Sequence, residues 1–185
     1  MNPVIIGIIV IVVLLAVFIA SKYNNFVVLR ERVKKSWKDI DIQLKRRFDL
    51  IPNLLETVKG YSSHEKEIFT KVAELRSGYE KTNSVAEKGK ISGELSSVLR
   101  GINVSLEAYP ELKANENFRE LQLELQNTED KISYARQFYN DITNRYNQEI
   151  KVFPGNIIAG LFKFEEAEYF ETKDEQEREN VKVKF

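Results

Sequence analysis

This chain has few residue types with which to do chemistry. It has no cysteine and one histidine, His64. That excludes disulfides, thiolate metal sites, cysteine nucleophiles, a lipidated N-terminal cysteine and sites built from several imidazoles. Asn2 follows the initiator methionine, which excludes N-myristoylation. His64 and Glu65 form one imidazole–carboxylate pair, the residue types of general acid–base catalysis. Glu65 has a competing use as the partner of Ser62 in a helix-capping box, and no nucleophile stands near it in the sequence. No catalytic residue, cofactor-binding residue or metal ligand is assigned.

Two constellations offer binding instead. Lys45-Arg46-Arg47 with Asp49 is the densest charged cluster. It could hold a phosphate or an acidic partner helix; the plainer reading is a solvated or ion-paired helix face. Asp41 and Arg47 are expected to pair with residues of a later, fourth helix. Tyr139-Asn140 and Tyr146-Asn147 lie one heptad apart, and Gln137, Asn140, Asn144, Asn147 and Lys151 extend a polar stripe. Amides on a helix face can specify register between subunits, while the tyrosines can fill a core with the hydroxyl at its rim. The candidate interaction surface is therefore Lys45, Arg46, Arg47, Asn140, Asn144 and Asn147.

The elements that position these groups are helices. Gly and Pro are scarce, charged and long-chain residues plentiful, and no run alternates with period two. From Phe26 onward the apolar residues Phe26, Leu29, Val33, Trp37, Ile40, Leu44, Phe48, Ile51, Leu55 and Val58 recur in steps of three or four, one stripe of one helix. Pro52 predicts a kink, or a break with Asp49 capping a new helix; the unbroken spacing favours the kink. Gly60 ends this spine. A second helix should bury Ile68, Phe69, Val72 and Leu75, and a third, opened by a Ser84/Glu87 capping box, Leu95, Val98, Leu99, Ile102 and Leu106. Gly89, Gly93 and Gly101 in that third helix imply close packing or a break.

After Asn115 a long fourth helix carries Phe118, Leu121, Leu125, Thr128, Ile132, Ala135, Tyr139, Ile142, Tyr146 and Phe153 on a heptad frame, with Glu149 discordant. Pro154-Gly155-Asn156 stops it. The apolar cluster Ile157 to Phe164 is too short to span a membrane. It can fold back on the bundle, cover a helix end, or touch lipid or a neighbouring subunit.

The spine is preceded by the most apolar run in the chain, Val4 to Ala20, which holds no charge. At 1.5 Å per residue it covers about 26 Å, close to the hydrocarbon thickness of a bilayer. The segment has no basic n-region, and Phe18 and Ile19 crowd the one small-residue cleavage site, so an uncleaved span is expected over a signal peptide. The spanning side chains are Val4, Ile5, Ile6, Ile8, Ile9, Val10, Ile11, Val12, Val13, Leu14, Leu15, Val17, Phe18 and Ile19. Formal net charge is zero, yet residues up to Arg47 hold nine Lys/Arg against three Asp/Glu, and the remainder nineteen against twenty-five. An acidic domain argues against nucleic acid as a partner. Basic residues after the span and none before it place the domain in the cytoplasm by the positive-inside rule.

Several stretches together resemble the LemA family. These are Tyr23-Asn24, Leu29-Arg30, Arg32-Val33-Lys34, Trp37, Ile40-Asp41, Gln43-Leu44-Lys45-Arg46-Arg47, Asp49-Leu50-Ile51-Pro52-Asn53-Leu54, Glu56-Thr57-Val58-Lys59-Gly60-Tyr61 and His64-Glu65. Phe118, Leu121-Gln122, Glu124-Leu125, Thr128-Glu129, Ala135-Arg136, Tyr139-Asn140, Tyr146-Asn147, Phe153-Pro154, Phe164 and Tyr169-Phe170 extend the likeness through the chain. Phe48 departs from it, standing where the family often has a polar residue or His. The resemblance implies a bacterial single-pass membrane protein with an elongated antiparallel helical bundle, and brings no catalytic mechanism.

The expected organisation is all-α. It comprises a tail at 1–3, a transmembrane helix at 4–22 and a bundle domain at 23–164, with a charged tail at 165–185. The bundle helices fall at about 23–59, 64–81, 85–108 and 115–153. The expected protein is a membrane-anchored, non-enzymatic scaffold of the bacterial inner membrane. It self-associates as a homo-oligomer, binds another envelope protein and uses no cofactor. A lipid-binding or membrane-shaping protein and an accessory subunit of an envelope enzyme are the alternatives.

Overall fold

The computed structural model describes residues 2–58, 65–105 and 115–171. Among them every regular element is a helix. α1 spans Pro3–Val58, α2 Glu65–Lys81, α3 Val85–Ser105, α4 Glu116–Lys151 and α5 Gly155–Leu161. The region of His64 and Ser62, and the side chains of Glu65 and Ile102, lie outside what is described, as do Leu106 and the charged tail beyond Glu171.

α1 is a single helix of 56 residues that runs through Pro52. Pro52 costs the helix one donor, since it has no N–H for the carbonyl of Phe48. It does not end the helix, and Asp49 caps nothing; its carboxylate pairs with Arg76 at 3.1 Å. The stripe read from the sequence is the buried face: Phe26, Leu29, Val33, Ile40, Leu44, Phe48, Ile51 and Leu55 are all buried. Each such side chain contributes roughly 1.5–3 kcal/mol over leaving it in water. By contrast the large side chains from Val4 to Phe18 are all exposed. This is the one helix among the described residues long and apolar enough to cross a membrane.

The chain forms two compact units. The first takes α1 as far as Lys38, together with Gln137–Ala167. Here α1 and α4 run antiparallel. Trp37 meets Tyr139 edge-on at 5.9 Å between ring centroids, and fifteen residues back along α1 Lys22 pairs with Glu149 at 3.1 Å. Glu149, discordant in the heptad frame, is thus an ion-pair position that also accepts a hydrogen bond from Asn25 at 3.5 Å. Gly155 opens α5 where a Cβ would collide with the backbone carbonyl of Glu149 and approach the Phe26 ring at 3.3 Å. Only glycine allows the chain to reverse so tightly there.

The second unit holds Asp39–Arg136 and the residues from Glu168 onward. α2 buries Val72, Leu75 and Tyr79, and α3 buries Leu95. In α3, Gly89 is closely packed: the Glu171 carbonyl sits where its Cβ would go. A Cβ at Gly101 would meet open space. The capping box at α3 is half formed. The Glu87 N–H donates to Ser84 Oγ at 3.3 Å, but the Glu87 carboxylate accepts from Thr82 instead of reaching back. The remaining N-terminal amides turn to Glu168, whose Oε2 accepts from Val85 N–H at 3.1 Å and from Ser84 Oγ at 3.0 Å. A carboxylate at a helix N-terminus satisfies orphan donors and matches the helix dipole.

Asn115 caps α4 from the position before it: its Oδ1 accepts from the Phe118 N–H at 3.1 Å. Phe118, Leu125, Ile132, Tyr139 and Tyr146, spaced seven apart, are all buried. The frame fails at Phe153, placed in the core by the sequence pattern. α4 ends at Lys151, and Phe153 is 79% exposed.

Candidate functional site

Three consecutive residues on a helix diverge by about 100° each, so Lys45, Arg46 and Arg47 cannot share a face. Lys45 points outward and pairs with Asp41 at 2.8 Å. Arg46 reaches Glu124 of α4. Arg47 lies three residues after Leu44 and four before Ile51, on the apolar stripe, and is 3% exposed. Its Nη1 pairs with Glu129 of α4 at 2.7 Å, and its Nη2 donates to Ser96 Oγ of α3 at 3.0 Å. Burial lowers the Arg47 pKa, with Arg100 adding to the effect and Glu129 opposing it. Nε of Arg47 meets no partner among the described residues. A cavity of about 360 Å³ adjoins this guanidinium, lined also by Ser96, Arg100, Gln122 and Glu129.

Asp41 does not pair with the fourth helix. Its carboxylate accepts from Tyr79 of α2 and from Lys88 of α3 at 3.0 Å, besides Lys45. Lys88 also sits 4.3 Å above the Tyr79 ring, and Tyr79 packs on Phe48 at 5.2 Å. One carboxylate therefore ties α1, α2 and α3 together. Burial alone would raise its pKa, but the hydrogen bonds from Lys45, Tyr79 and Lys88 outweigh that and hold it at about 2. Tyr79 moves the opposite way: burial and the Asp41 charge push its phenol well above the ordinary range. Neither group exchanges protons near neutrality, where general acid–base catalysis operates. The cluster is an ion-paired strut, and periodicity could not have found it because Tyr79 and Lys88 are remote in sequence.

The amide stripe separates in the same way. Asn144 is exposed and Asn140 half-buried. Asn147 is buried and holds the backbone of Ala167: its Nδ2 donates to the Ala167 carbonyl and its Oδ1 accepts from the Ala167 N–H, both at 2.9 Å. The Tyr146 hydroxyl donates to the Glu165 carbonyl at 2.9 Å. Of the six residues read as an interaction surface, Arg47 and Asn147 are interior. Lys45, Arg46 and Asn144 are outward, and Asn140 is intermediate.

A feature the sequence left open lies around α5. The cluster Ile157–Phe164 folds back on its own unit: Ile158 and Ala159 are buried, Phe162 meets Tyr23 at 4.8 Å, and Phe164 meets Tyr23 and Phe26 at 5.6 and 5.4 Å. Arg30 covers the Phe164 ring at 5.1 Å. The chain turns at Lys163, in the left-handed region at φ 55°. The Phe164 N–H donates to the Ala159 carbonyl at 2.9 Å and the Lys163 N–H to the Gly160 carbonyl at 3.3 Å. These two bonds make a Schellman C-cap. Among the described residues no three His, Cys, Asp or Glu side chains gather as a metal would require.

One apolar helix that continues into an ion-paired helical core defines a membrane-associated, all-α protein. The model of the LemA family matches residues 36–185, and the chain belongs to that family. Among its relatives, Magnetosome protein MamQ 2 of Paramagnetospirillum magneticum is 25% identical, over 84% of this chain and 68% of its own length. Protein LemA of Metamycoplasma hominis is 28% identical over 62% of this chain and 53% of its own. Magnetosome protein MamQ of Magnetospirillum gryphiswaldense is 22% identical, covering 82% and 65%. The chain thus spans from about half to two thirds of the length of these relatives.

Proposed function

We propose that this protein is a membrane-anchored helical scaffold of the bacterial inner membrane, without a reaction of its own, that self-associates and binds a further envelope protein. The observation that carries the reading is α1: one helix supplies both the exposed apolar segment and the buried spine of the domain. Charged groups in the core are engaged as struts, and the tuned ones are held away from neutral pKa values. The outward residues Lys45, Arg46 and Asn144, with the half-buried Asn140, are the contact positions to test. Basic residues following the span favour a cytoplasmic domain.

Photo-crosslinking side chains placed at those four positions in the full chain, in cells, are expected to give adducts with a second copy and with one distinct envelope protein. Light scattering on the purified full chain in lipid nanodiscs should give more than one copy per particle. Monomers at every concentration, with no adducts, would remove the scaffold reading. For orientation, Ser133→Cys on the otherwise cysteine-free chain should resist a membrane-impermeant maleimide until cells are lysed; labelling of intact cells places the domain outside.

One observation favours a second reading, a lipid-binding protein: the exposed apolar face of α5 and the turn before it.

A further inference from the structure

α5 is uncharged and seven residues long, too short to cross a bilayer. Its inner side packs through Ile158 and Ala159. Its outer side does not match an aqueous surface. Ile157 and Leu161, four residues apart and so on one face of α5, are 62% and 71% exposed, and Phe153, in the turn before the helix, is 79% exposed. Val152 and Phe162 flank them at 53% and 45%. A contiguous group of large apolar side chains in the open marks an interaction site.

Its position says what covers it. Lys22 and Asn25 bond to Glu149, which sets the end of α4 level with the first turn of α1 beyond Ala20. α4 runs antiparallel to α1 in this unit, so the residues after Glu149 head toward the apolar segment until the chain reverses at Gly155, beside Phe26. Phe162 and Phe164 lie against Tyr23, three residues past Ala20. Ile19 is the first residue of the span to lose exposure. α5 is therefore held beside Tyr23 and Phe26, just past the apolar segment of α1, at the depth where a spanning helix leaves hydrocarbon. Tyr23 with Phe162 and Phe153 supplies aromatic rings at that depth, as membrane–water boundaries favour.

We propose that α5 and the turn before it form an interfacial foot: the exposed side chains of Phe153, Ile157 and Leu161 rest in the headgroup–acyl boundary of the leaflet from which α1 emerges. The occupant is the lipid of that leaflet, and the inference rests on the reading that α1 spans the bilayer. Two attachments on one compact unit fix the rotation of α1 about its own axis, which a span alone leaves free.

The test uses the full chain in phosphatidylcholine–phosphatidylglycerol vesicles, with one nitroxide each on Phe153→Cys, Ile157→Cys and Leu161→Cys. Val10→Cys reports the span and Ser133→Cys the water. All three foot positions are outward, so the substitutions leave the packing intact. The ratio of collisions with oxygen to collisions with a water-soluble nickel complex should exceed that at Ser133→Cys severalfold, while staying below that at Val10→Cys. Water-like ratios at all three, with Val10→Cys in lipid, overturn the foot and leave the anchor standing. Low collision with both reagents means that protein, such as a second copy, covers the face, and overturns it equally. A water-like Val10→Cys overturns the anchor reading itself, and the foot with it.

Discussion

The side-chain amide of Asn147 and the backbone of Ala167 exchange two hydrogen bonds, each 2.9 Å. An amide side chain presents a donor and an acceptor in the same arrangement as a peptide group, so it can pair with an extended segment as a strand would. Asn147 is buried, and its loss leaves a peptide group unpaired. Asn147→Ala is expected to cost roughly 2–3 kcal/mol, with new proteolytic cleavage between Glu165 and Glu171. Asn147→Asp keeps the acceptor but buries a charge with an oxygen against the Ala167 carbonyl, so at neutral pH it should cost at least as much as Asn147→Ala. Denaturant unfolding of the full chain in detergent and limited proteolysis read both; unchanged midpoints and cleavage would sink the clamp.

Asp41→Asn should be more damaging than its half-exposed neighbours suggest. It leaves Lys88, 13% exposed, without its carboxylate, and removes the charge that Lys45 and Tyr79 also address. A loss of about 2 kcal/mol is expected, since the folded pKa of about 2 lies below the ordinary 3.8. The same shift sets a pH dependence. The fold favours the ionised carboxylate, so this stabilisation is complete above about pH 4 and fades as pH falls through 2. Unfolding measured from pH 6 to 2 should show Asp41→Asn converging on the natural chain at the acid end. Parallel curves would contradict the assignment.

Arg47 makes the opposite case. Its guanidinium is buried at a desolvation cost, whereas Glu129 is 46% exposed and can return to water. Removing one member of an ion pair is costly when the other stays buried. Replacing buried charge by apolar volume is neutral or stabilising when no charge is left stranded, and the partly exposed Glu129 can turn its carboxylate to solvent. Arg47→Met should therefore shift stability by no more than about 1 kcal/mol. A loss of 3 kcal/mol or more would show that Glu129 and Ser96 hold Arg47 more strongly than this geometry implies.

Two backbone positions beside α5 should respond in opposite directions. Gly155→Ala places a methyl group against the rigid Glu149 carbonyl and is expected to cost roughly 1–3 kcal/mol. Lys163 occupies the left-handed C′ position that glycine fills without strain, so Lys163→Gly should stabilise by about 0.5–1 kcal/mol. Thermal unfolding by circular dichroism would order the three chains as Gly at 163, natural, Ala at 155. Any other order argues against this turn.

Periodicity made the helices legible, and the stripe from Phe26 to Leu55 is the buried face of α1 because apolar spacing reports a face directly. The same spacing held Arg47, at a step of three from Leu44 and four from Ile51, but its charge drew it into a surface cluster with Lys45 and Arg46. Asp41 shows the other limit. Its partners Tyr79 and Lys88 come from α2 and α3, and a pattern within one helix carries no information about who stands opposite. Glu168 capping α3 across eighty residues is unreadable for the same reason. Phe153 was misplaced by extending a heptad beyond the point where Pro154 and Gly155 turn the chain. Its exposure, with that of Ile157 and Leu161, is what carries the foot.

Because α1 runs unbroken from Pro3 to Val58, membrane and domain share a single helical phase. Adding one residue at Ser21 would lift everything beyond it by about 1.5 Å and turn it by about 100°, swinging the outer face of α5 a quarter-turn around the axis. Adding seven would nearly restore the angle while raising that face about 10 Å. The join between span and spine thus behaves as a screw thread, in which length and heading cannot be set independently.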